Sequence, residues 1–214
     1  MLTTGSFQPR FAVGLGLRPE HRPEAARLYW QGFGREILPF ALDDARGAAL
    51  VAASLRPAMA LVALSPDGGL AAMAGIRDAG GGFLAPDRAA VIQHCGPLRG
   101  RMALWANRLH RSGPATSDMV LDGLIVRPEL RGRGYGQALV AAAAELAQER
   151  GYAGLRVELS ATNEAARALY KMLGFAPVGR ARIGWPWSGP AEIMRFARPA
   201  AGSSRSSPSP APAR

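Results

Sequence analysis

The segment from Leu121 to Gln137, LDGLIVRPELRGRGYGQ, most constrains how this chain can fold. Its apolar first part is typical of a strand, and three glycines follow at alternate positions, 132, 134 and 136. A helix-forming run rich in alanine and leucine comes directly after them. Glycines that let backbone N–H groups converge at a helix N-terminus are typical of a site for phosphate or pyrophosphate. Arg131 and Arg133 add positive charge and paired donors there.

Spacing separates this loop from two other phosphate-binding loops. A P-loop needs Gly-x-x-x-x-Gly-Lys followed by Ser or Thr, but the only lysine of the chain is Lys171. A Rossmann fingerprint needs Gly-x-Gly-x-x-Gly directly after a strand. Gln137 and Leu139 stand where a third glycine would be needed, and the residues from Arg127 to Arg131 separate the strand from the glycines. The spacing therefore argues against both loops.

Two blocks of sequence resemble one enzyme family. Arg131-x-x-Gly134-x-Gly136 is similar to the acyl-CoA-binding motif of the GCN5-related N-acetyltransferase (GNAT) family. The block LRVELSATNEAARALYKMLGF, from Leu155 to Phe175, resembles the strand and helix that follow in that family. It carries an Asn near the helix start, a Tyr seven residues later and a closing Gly-Phe. The resemblance implies an α/β fold: a mixed, splayed sheet of six to seven strands with helices on both faces.

The resemblance also implies a donor and a binding site for it. The donor is acetyl-CoA, and the acceptor is a primary amine of a small molecule or a protein; no metal is expected. The strand backbone would pair with the pantetheine chain, while the glycine loop would hold the pyrophosphate. The implied cofactor-binding residues are Leu124, Ile125, Val126, Arg131, Gly132, Arg133, Gly134, Tyr135, Gly136, Gln137 and Asn163. Asn163 has a second explanation, because Asn is a preferred helix N-cap.

Acetyl transfer also needs a proton donor for the leaving thiolate and an acceptor for the amine proton. The family often places a Tyr where Tyr170 lies, so we expect Tyr170 to be the catalytic acid, with core packing as the alternative. Three carboxylates could take the amine proton: Asp118, Asp122 and Glu158. Asp122 ranks first because the family's carboxylate often lies on that strand. For each of the three, an ordinary surface charge is the alternative.

Composition limits the other classes of function. With 214 residues and 48% hydrophobic residues, the chain suits one domain, which we place at residues 1–199. Residues 200–214 are rich in Ser and Pro and are expected to be a disordered tail. The net charge of +10 comes from scattered arginines, so we expect no nucleic-acid partner. A single cysteine, Cys95, excludes an internal disulfide and a Cys-based zinc site.

No stretch of 18 uninterrupted apolar residues occurs, so we expect a cytoplasmic protein with no membrane partner. Trp185 and Trp187 would line an acceptor pocket, close a homodimer contact or pack in the core. The alternative to an enzyme is a non-catalytic acyl-CoA-binding module used as a sensor or scaffold.

Hydrophobic periodicity and turn residues predict the remaining elements. Strands are expected at 11–17, 58–64, 70–76, 119–126, 155–159, 175–183 and 192–196. Helices are expected at 23–33, at 42–55, within 87–111 with a break at Gly96-Pro97, after the glycine loop and before Gly174.

Overall fold

The computed structural model describes residues 11–196, so the predicted tail lies outside the described residues. Within this range the strands are β1 (Val13–Leu15), β2 (Ala60–Leu64), β3 (Leu70–Arg77), β4 (Met119–Val126), β5 (Leu155–Ser160), β6 (Ala176–Arg182) and β7 (Pro190–Phe196). The helices are α1 (Arg22–Ile37), α2 (Asp44–Ser54), α3 (Arg88–Cys95), α4 (Pro97–Ala106), α5 (Tyr135–Glu149) and α6 (Glu164–Met172).

The strands form one mixed sheet in the order β1-β2-β3-β4-β5-β7-β6. Only β4 and β5 are parallel, and the other neighbours are antiparallel. The single parallel pair follows from α5, because a crossover helix returns the chain in the same direction. The predicted mixed sheet is confirmed.

Helices cover both faces of the sheet. A Cβ atom built on Gly136 of α5 would contact the side chains of Leu124 and Val126 at 3.6 and 3.7 Å. The intervening Ile125 side chain points the other way, 3.3 Å from the Cβ position of Gly32 in α1. Because side chains alternate along a strand, α1 and α5 lie on opposite faces. The residues of β3 from Leu70 to Ile76 are buried between them, which makes this strand the centre of the core.

The sheet splays open between β4 and β5. These strands pair only from Met119↔Leu155 to Leu121↔Val157, although both continue further. The splay begins at a bulge, since Asp122 pairs with β3 and so does Leu124, whereas Gly123 between them has no partner on β3. Gly123 has φ +75°, and a side chain there would lie 2.9 Å from the Tyr29 ring. The bulge therefore requires glycine.

Two predicted boundaries were wrong. The first helix was expected to stop at Gly34, but it continues to Ile37. Gly34 packs against the ring of Trp30, where a Cβ atom would lie only 2.9 Å away, so this glycine allows close packing and does not end the helix. The first strand was expected over 11–17 but pairs with β2 only from Val13 to Leu15. No helix in residues 11–196 is long and apolar enough to cross a bilayer.

Candidate functional site

The glycine loop presents a run of free backbone donors. The backbone N–H groups of residues 132–137 donate to no acceptor within the described residues. The next N–H group, that of Ala138, starts the helical pattern by donating to the Gly134 carbonyl at 3.0 Å. Gly134 is the N-cap of α5, with φ +92°, a conformation that favours glycine. These donors coincide with the positive end of the helix dipole, an arrangement typical of anion-binding sites, and we call residues 132–137 the cradle.

The space in front of the cradle is open and positively charged. A Cβ atom on Gly132 would meet nothing within 4 Å, so backbone conformation, φ +74°, and not crowding explains the glycine. Arg131 and Arg133 are exposed, and neither forms an ion pair with any other described residue. Tyr135 differs, because its buried ring stacks on Phe11 with centroids 3.9 Å apart. Only its backbone N–H group faces the cradle.

Beyond the bulge, one edge of β4 is free of any neighbouring described strand. The Arg127 N–H donates to the Ala71 carbonyl at 3.0 Å, so alternate residues of β4 direct their backbone groups toward β3. By this alternation Ile125 also bonds to β3, while the N–H and C=O groups of Leu124 and Val126 point into the splay. There the Val126 carbonyl accepts a hydrogen bond from Nε of the exposed Arg131 side chain at 3.4 Å. Within the described chain β5 no longer pairs there. An extended ligand with amide groups could therefore add to β4 at Leu124 and Val126.

The three candidate carboxylates have different surroundings. Asp118 is 7% exposed and accepts two hydrogen bonds from Arg195, at 2.7 and 2.8 Å. Glu158 is 9% exposed and pairs with Arg77 at 2.8 Å and with buried Arg156. Asp122 is 42% exposed and has only a 3.8 Å ion pair with Arg77. Asp122 is therefore the carboxylate most available to a substrate.

Asp122, Glu36 and Tyr29 lie close together, and sequence analysis did not predict this. We call these three residues the acidic group. Partial burial raises the pKa of Asp122 although 42% of its side-chain surface is exposed; the Arg77 charge partly offsets this, and the Glu158 charge adds to it. Partial burial, and then the Asp122 charge, raise the pKa of Glu36 near the end of α1, although the residue as a whole is exposed. Burial raises the pKa of Tyr29 as well, with further contributions from Asp122 and Glu36. These three side chains from α1 and β4 therefore lie near enough for their charges to influence one another.

No motif marked Tyr29 or Glu36 in the sequence. Tyr29 belongs to the apolar stripe of α1, next to Trp30 and Phe33, and was interpreted as a core residue. Its ring is indeed buried, but its hydroxyl makes no hydrogen bond with the residues described and lies 3.1 Å from the Cβ position of Gly123. The only available signal was a tyrosine in a stripe where phenylalanine would have sufficed.

Tyr170 is a buried residue of α6. Its ring packs on Phe175 with centroids 5.2 Å apart. Its hydroxyl has no hydrogen-bond partner in the range from residue 11 to residue 196, and burial raises the pKa of Tyr170 to about 12. The phenol is therefore protonated at neutral pH and free to donate.

Comparison with known proteins identifies the family. The model of the Acetyltransferase (GNAT) family matches residues 52–175, more than half of the chain. The chain belongs to the GNAT family. This confirms the resemblance seen in the two sequence blocks.

A protein of Bacillus subtilis (strain 168), provisionally named a ribosomal protein bS18-alanine N-acetyltransferase, is 30% identical over 89 residues. That match covers 42% of this chain and 54% of the relative, so the chain spans about half the length of the curated relative.

Solved structures confirm the GNAT fold. An N-acetyltransferase from Staphylococcus aureus Mu50 superimposes with a TM-score of 0.63 at 15% identity, covering 86% of this chain and 100% of that one. The ribosomal-protein-S18-alanine N-acetyltransferase from Escherichia coli gives a TM-score of 0.52 at 20% identity, covering 91% and 97%. At these identities the similarity shows the fold alone.

Asn163 is the N-cap of α6, the helix of the second sequence block. Its side-chain oxygen accepts a hydrogen bond from the Ala166 N–H at 3.0 Å. The N-cap explanation is therefore confirmed. The side-chain amide nitrogen remains exposed, and its expected contact with the cofactor stays a prediction.

The two tryptophans of the β6–β7 loop have different environments. Trp185 is buried, and its Nε1 donates to the Glu36 carbonyl oxygen at 2.9 Å. Trp187 is exposed and its ring stacks on that of Trp185, with the ring centroids 5.6 Å apart and an interplanar angle of 7°. Trp185 thus fixes this loop against the end of α1, beside the acidic group. In the described part of this GNAT chain, no cluster of three or more His, Cys, Asp or Glu could hold a metal ion.

Proposed function

We propose that this GNAT protein is an acetyl-CoA-dependent N-acetyltransferase that acetylates a primary amine. The observation that carries the proposal is the run of free N–H groups at residues 132–137 beside the free edge of β4. A chain that ends in a pyrophosphate and carries amides along its length can use both features at once. Acetyl-CoA has this structure.

The donor would lie along the splay. The N–H groups of residues 132–137, with Arg131 and Arg133, would bind the pyrophosphate. The backbone of Leu124 and Val126 would pair with the pantetheine amides, and Ile125 would support that edge from the other face. The remaining residues of the proposed donor site are Gln137, in the first turn of α5, and Asn163, through its exposed amide.

The reaction moves two protons and one acetyl group. The neutral amine nitrogen attacks the thioester carbonyl carbon, the C–S bond breaks, and the sulfur leaves as a thiolate. Asp122 would take the amine proton, directly or through water, because its raised pKa makes it a better base than an ordinary carboxylate. Tyr170 would stabilise the thiolate by donating a hydrogen bond to the sulfur, which then takes its proton from the solvent.

The acceptor side would be formed by the acidic group. Asp122 and Glu36 supply negative charge where an ammonium ion must bind before it loses its proton, and the Tyr29 hydroxyl supplies a further hydrogen-bonding group. Trp185 and Trp187 would form the adjacent wall. The acceptor is an amine of a small molecule or of a protein, and we place the reaction in the cytoplasm, where acetyl-CoA is available.

A panel of amines tests this function. Free thiol released from acetyl-CoA would be measured with diamines, aminoglycosides, amino acids and peptides with free N-termini, and the acetylated product would be confirmed by mass spectrometry. We expect amine-dependent thiol release with at least one class, and its loss in Asp122→Asn. Binding of acetyl-CoA without thiol release for any amine would instead support the sensor or scaffold alternative.

A further inference from the structure

Helix α4 carries an exposed apolar stripe that the proposed function does not use. Its residues are Leu98, Met102, Trp105 and, in the short turn that follows, Leu109, with exposed fractions of 82%, 50%, 63% and 46%. Spacings of four, three and four residues place them on one side of the helix. Half of the large hydrophobic residues that are exposed between residues 11 and 196 therefore lie in this one stripe. Such concentration is typical of an interaction surface.

The stripe is held rigidly and faces outward. On its inner side α4 buries three small residues, Gly100, Ala103 and Ala106. A Cβ atom on Gly100 would lie 2.8 Å from the Ile92 backbone, so α4 packs closely on α3. The apolar side chains on the other side are therefore a fixed ridge on the protein surface.

Positive charge lies along one flank of the ridge. No Asp or Glu occurs between Asp87 and Asp118, whereas five arginines do: Arg88, Arg99, Arg101, Arg108 and Arg111. Arg101 and Arg108 each follow a stripe residue by three positions, so both lie beside the ridge. Both are exposed, and neither forms an ion pair with any residue that the structure describes.

Charge and shape limit the partner. Suppose that two copies of the chain paired through this stripe, with their α4 helices antiparallel and related by a two-fold axis. The flank that carries Arg101 and Arg108 would then face the same flank of the other copy, and the arginines would repel one another. A nucleic acid would neutralise the arginines but leave Leu98 and Met102 without an apolar environment. A negatively charged lipid surface satisfies both, because phosphates take the arginines while the acyl boundary takes the apolar ridge.

We propose that the α4 stripe binds anionic phospholipid at a membrane surface, with Trp105 at the headgroup level. The helix would lie on the bilayer without crossing it, contrary to the sequence-based expectation of no membrane partner. The proposed acceptor side lies next to this surface. His110 is the residue after Leu109, and its ring meets the Trp185 ring edge-on with the ring centroids 5.0 Å apart. Exposed Trp187 in turn stacks on Trp185.

Flotation with lipid vesicles tests the proposal. The full chain would be mixed with vesicles of phosphatidylglycerol and phosphatidylcholine in equal amounts, and with vesicles of phosphatidylcholine alone. We expect binding to the anionic vesicles to be at least about tenfold tighter, since each basic residue at such a surface strengthens binding about fivefold. Met102→Glu should weaken it at least about tenfold, because a charge would enter the apolar contact.

Met172→Glu is the matched control, since Met172 is 64% exposed on α6 and the substitution makes the same change in net charge. We expect it to weaken vesicle binding by less than about threefold. Absence of vesicle binding, or equal binding by Met102→Glu and Met172→Glu, would overturn the proposal in favour of diffuse charge attraction. Soluble polyglutamate is a further arm: if it binds through Met102 and vesicles do not, the partner is an acidic protein and the lipid proposal is wrong.

Discussion

At the scale of single residues, Tyr170 combines a buried ring with a hydroxyl that has no hydrogen-bond partner among residues 11–196. A packing role alone would be met equally well by Phe. A hydroxyl retained on this ring without a partner within the described chain is available to donate to a ligand atom. The raised pKa of about 12 lies well above the value near 8.5 of a free thiol, so Tyr170 would act mainly as a hydrogen-bond donor to the thiolate.

Tyr170→Phe tests that role. Ring packing on Phe175 should persist, so the KM for acetyl-CoA should change little. We expect kcat to fall at least about tenfold, the low end for general acids, because a thiolate leaves with little help. Steady-state and single-turnover kinetics would measure this. A kcat within twofold of wild type, with chemistry rate-limiting, would make Tyr170 a packing residue.

Asp122→Asn tests the charge in the cleft through stability. Partial burial holds the pKa of folded Asp122 above its unfolded value of about 3.9, so the folded state binds this proton more tightly. The free energy of unfolding therefore falls as pH rises through the interval between the two values, and it stays lower above them. The charged or titratable groups near Asp122 are Arg77, Glu158, Glu36 and Tyr29. The Arg77 charge lowers the pKa of Asp122, but the net shift is still upward.

We therefore expect Asp122→Asn to have a higher Tm than wild type at pH 7, and the difference to disappear near about pH 3, below both pKa values. Thermal unfolding followed by circular dichroism across this range is the measurement. A lower Tm at pH 7 would show that the Arg77 ion pair outweighs the cost of burial. A difference that does not change with pH would show that the Asp122 charge is not its cause.

At the scale of elements, the loop before α5 is where sequence and structure agree most fully. The glycine spacing predicts converging N–H groups, and the described loop indeed leaves those of residues 132–137 free. Local geometry made this predictable, because a helix N-terminus always has unpaired donors. Gly34 shows the limit of such local arguments. Its packing on Trp30 depends on side-chain placement, so a helix stop was predicted where none exists.

Arg133→Gln tests the charge of this loop. Arg133 is exposed and has no ion pair among the described residues, so its loss should leave the Tm unchanged. We expect the affinity for CoA to fall about tenfold, or ~1.4 kcal/mol, because a charge-assisted hydrogen bond to phosphate is lost. Calorimetric titration would measure the affinity. Arg180→Gln, at an exposed position of β6, is the control for net charge, and an equal loss there would show that the effect is not local.

At the scale of the whole molecule, the predicted fold class was confirmed, whereas the acceptor side of the site was not predictable. The splayed, mixed sheet follows from one strand–loop–helix segment and its resemblance to the GNAT family. The acidic group depends on contacts between distant parts of the chain. Trp185 reaches the Glu36 carbonyl across 149 positions, and Arg77 reaches Glu158 across 81. No periodicity or spacing encodes such contacts.

The same limit applies to the choice among the three carboxylates. Nothing in the sequence around Asp118, Asp122 and Glu158 distinguishes a catalytic carboxylate from a structural one. They differ in the number and closeness of their arginine partners in the folded chain. Arg195 donates two hydrogen bonds to Asp118, and Glu158 forms ion pairs with two arginines. The resemblance had ranked Asp122 first, and the geometry favours the same residue; its role as the base stays a prediction.

The central claim is that the free N–H groups before α5 bind the pyrophosphate of acetyl-CoA. Hydrogen–deuterium exchange along the whole chain, with and without saturating acetyl-CoA, tests it most directly. We predict the strongest protection at residues 132–137, a smaller effect at the free edge of β4, and no comparable change with NADH. Exchange at residues 132–137 that is unchanged by bound acetyl-CoA, or that NADH slows equally, would contradict the account.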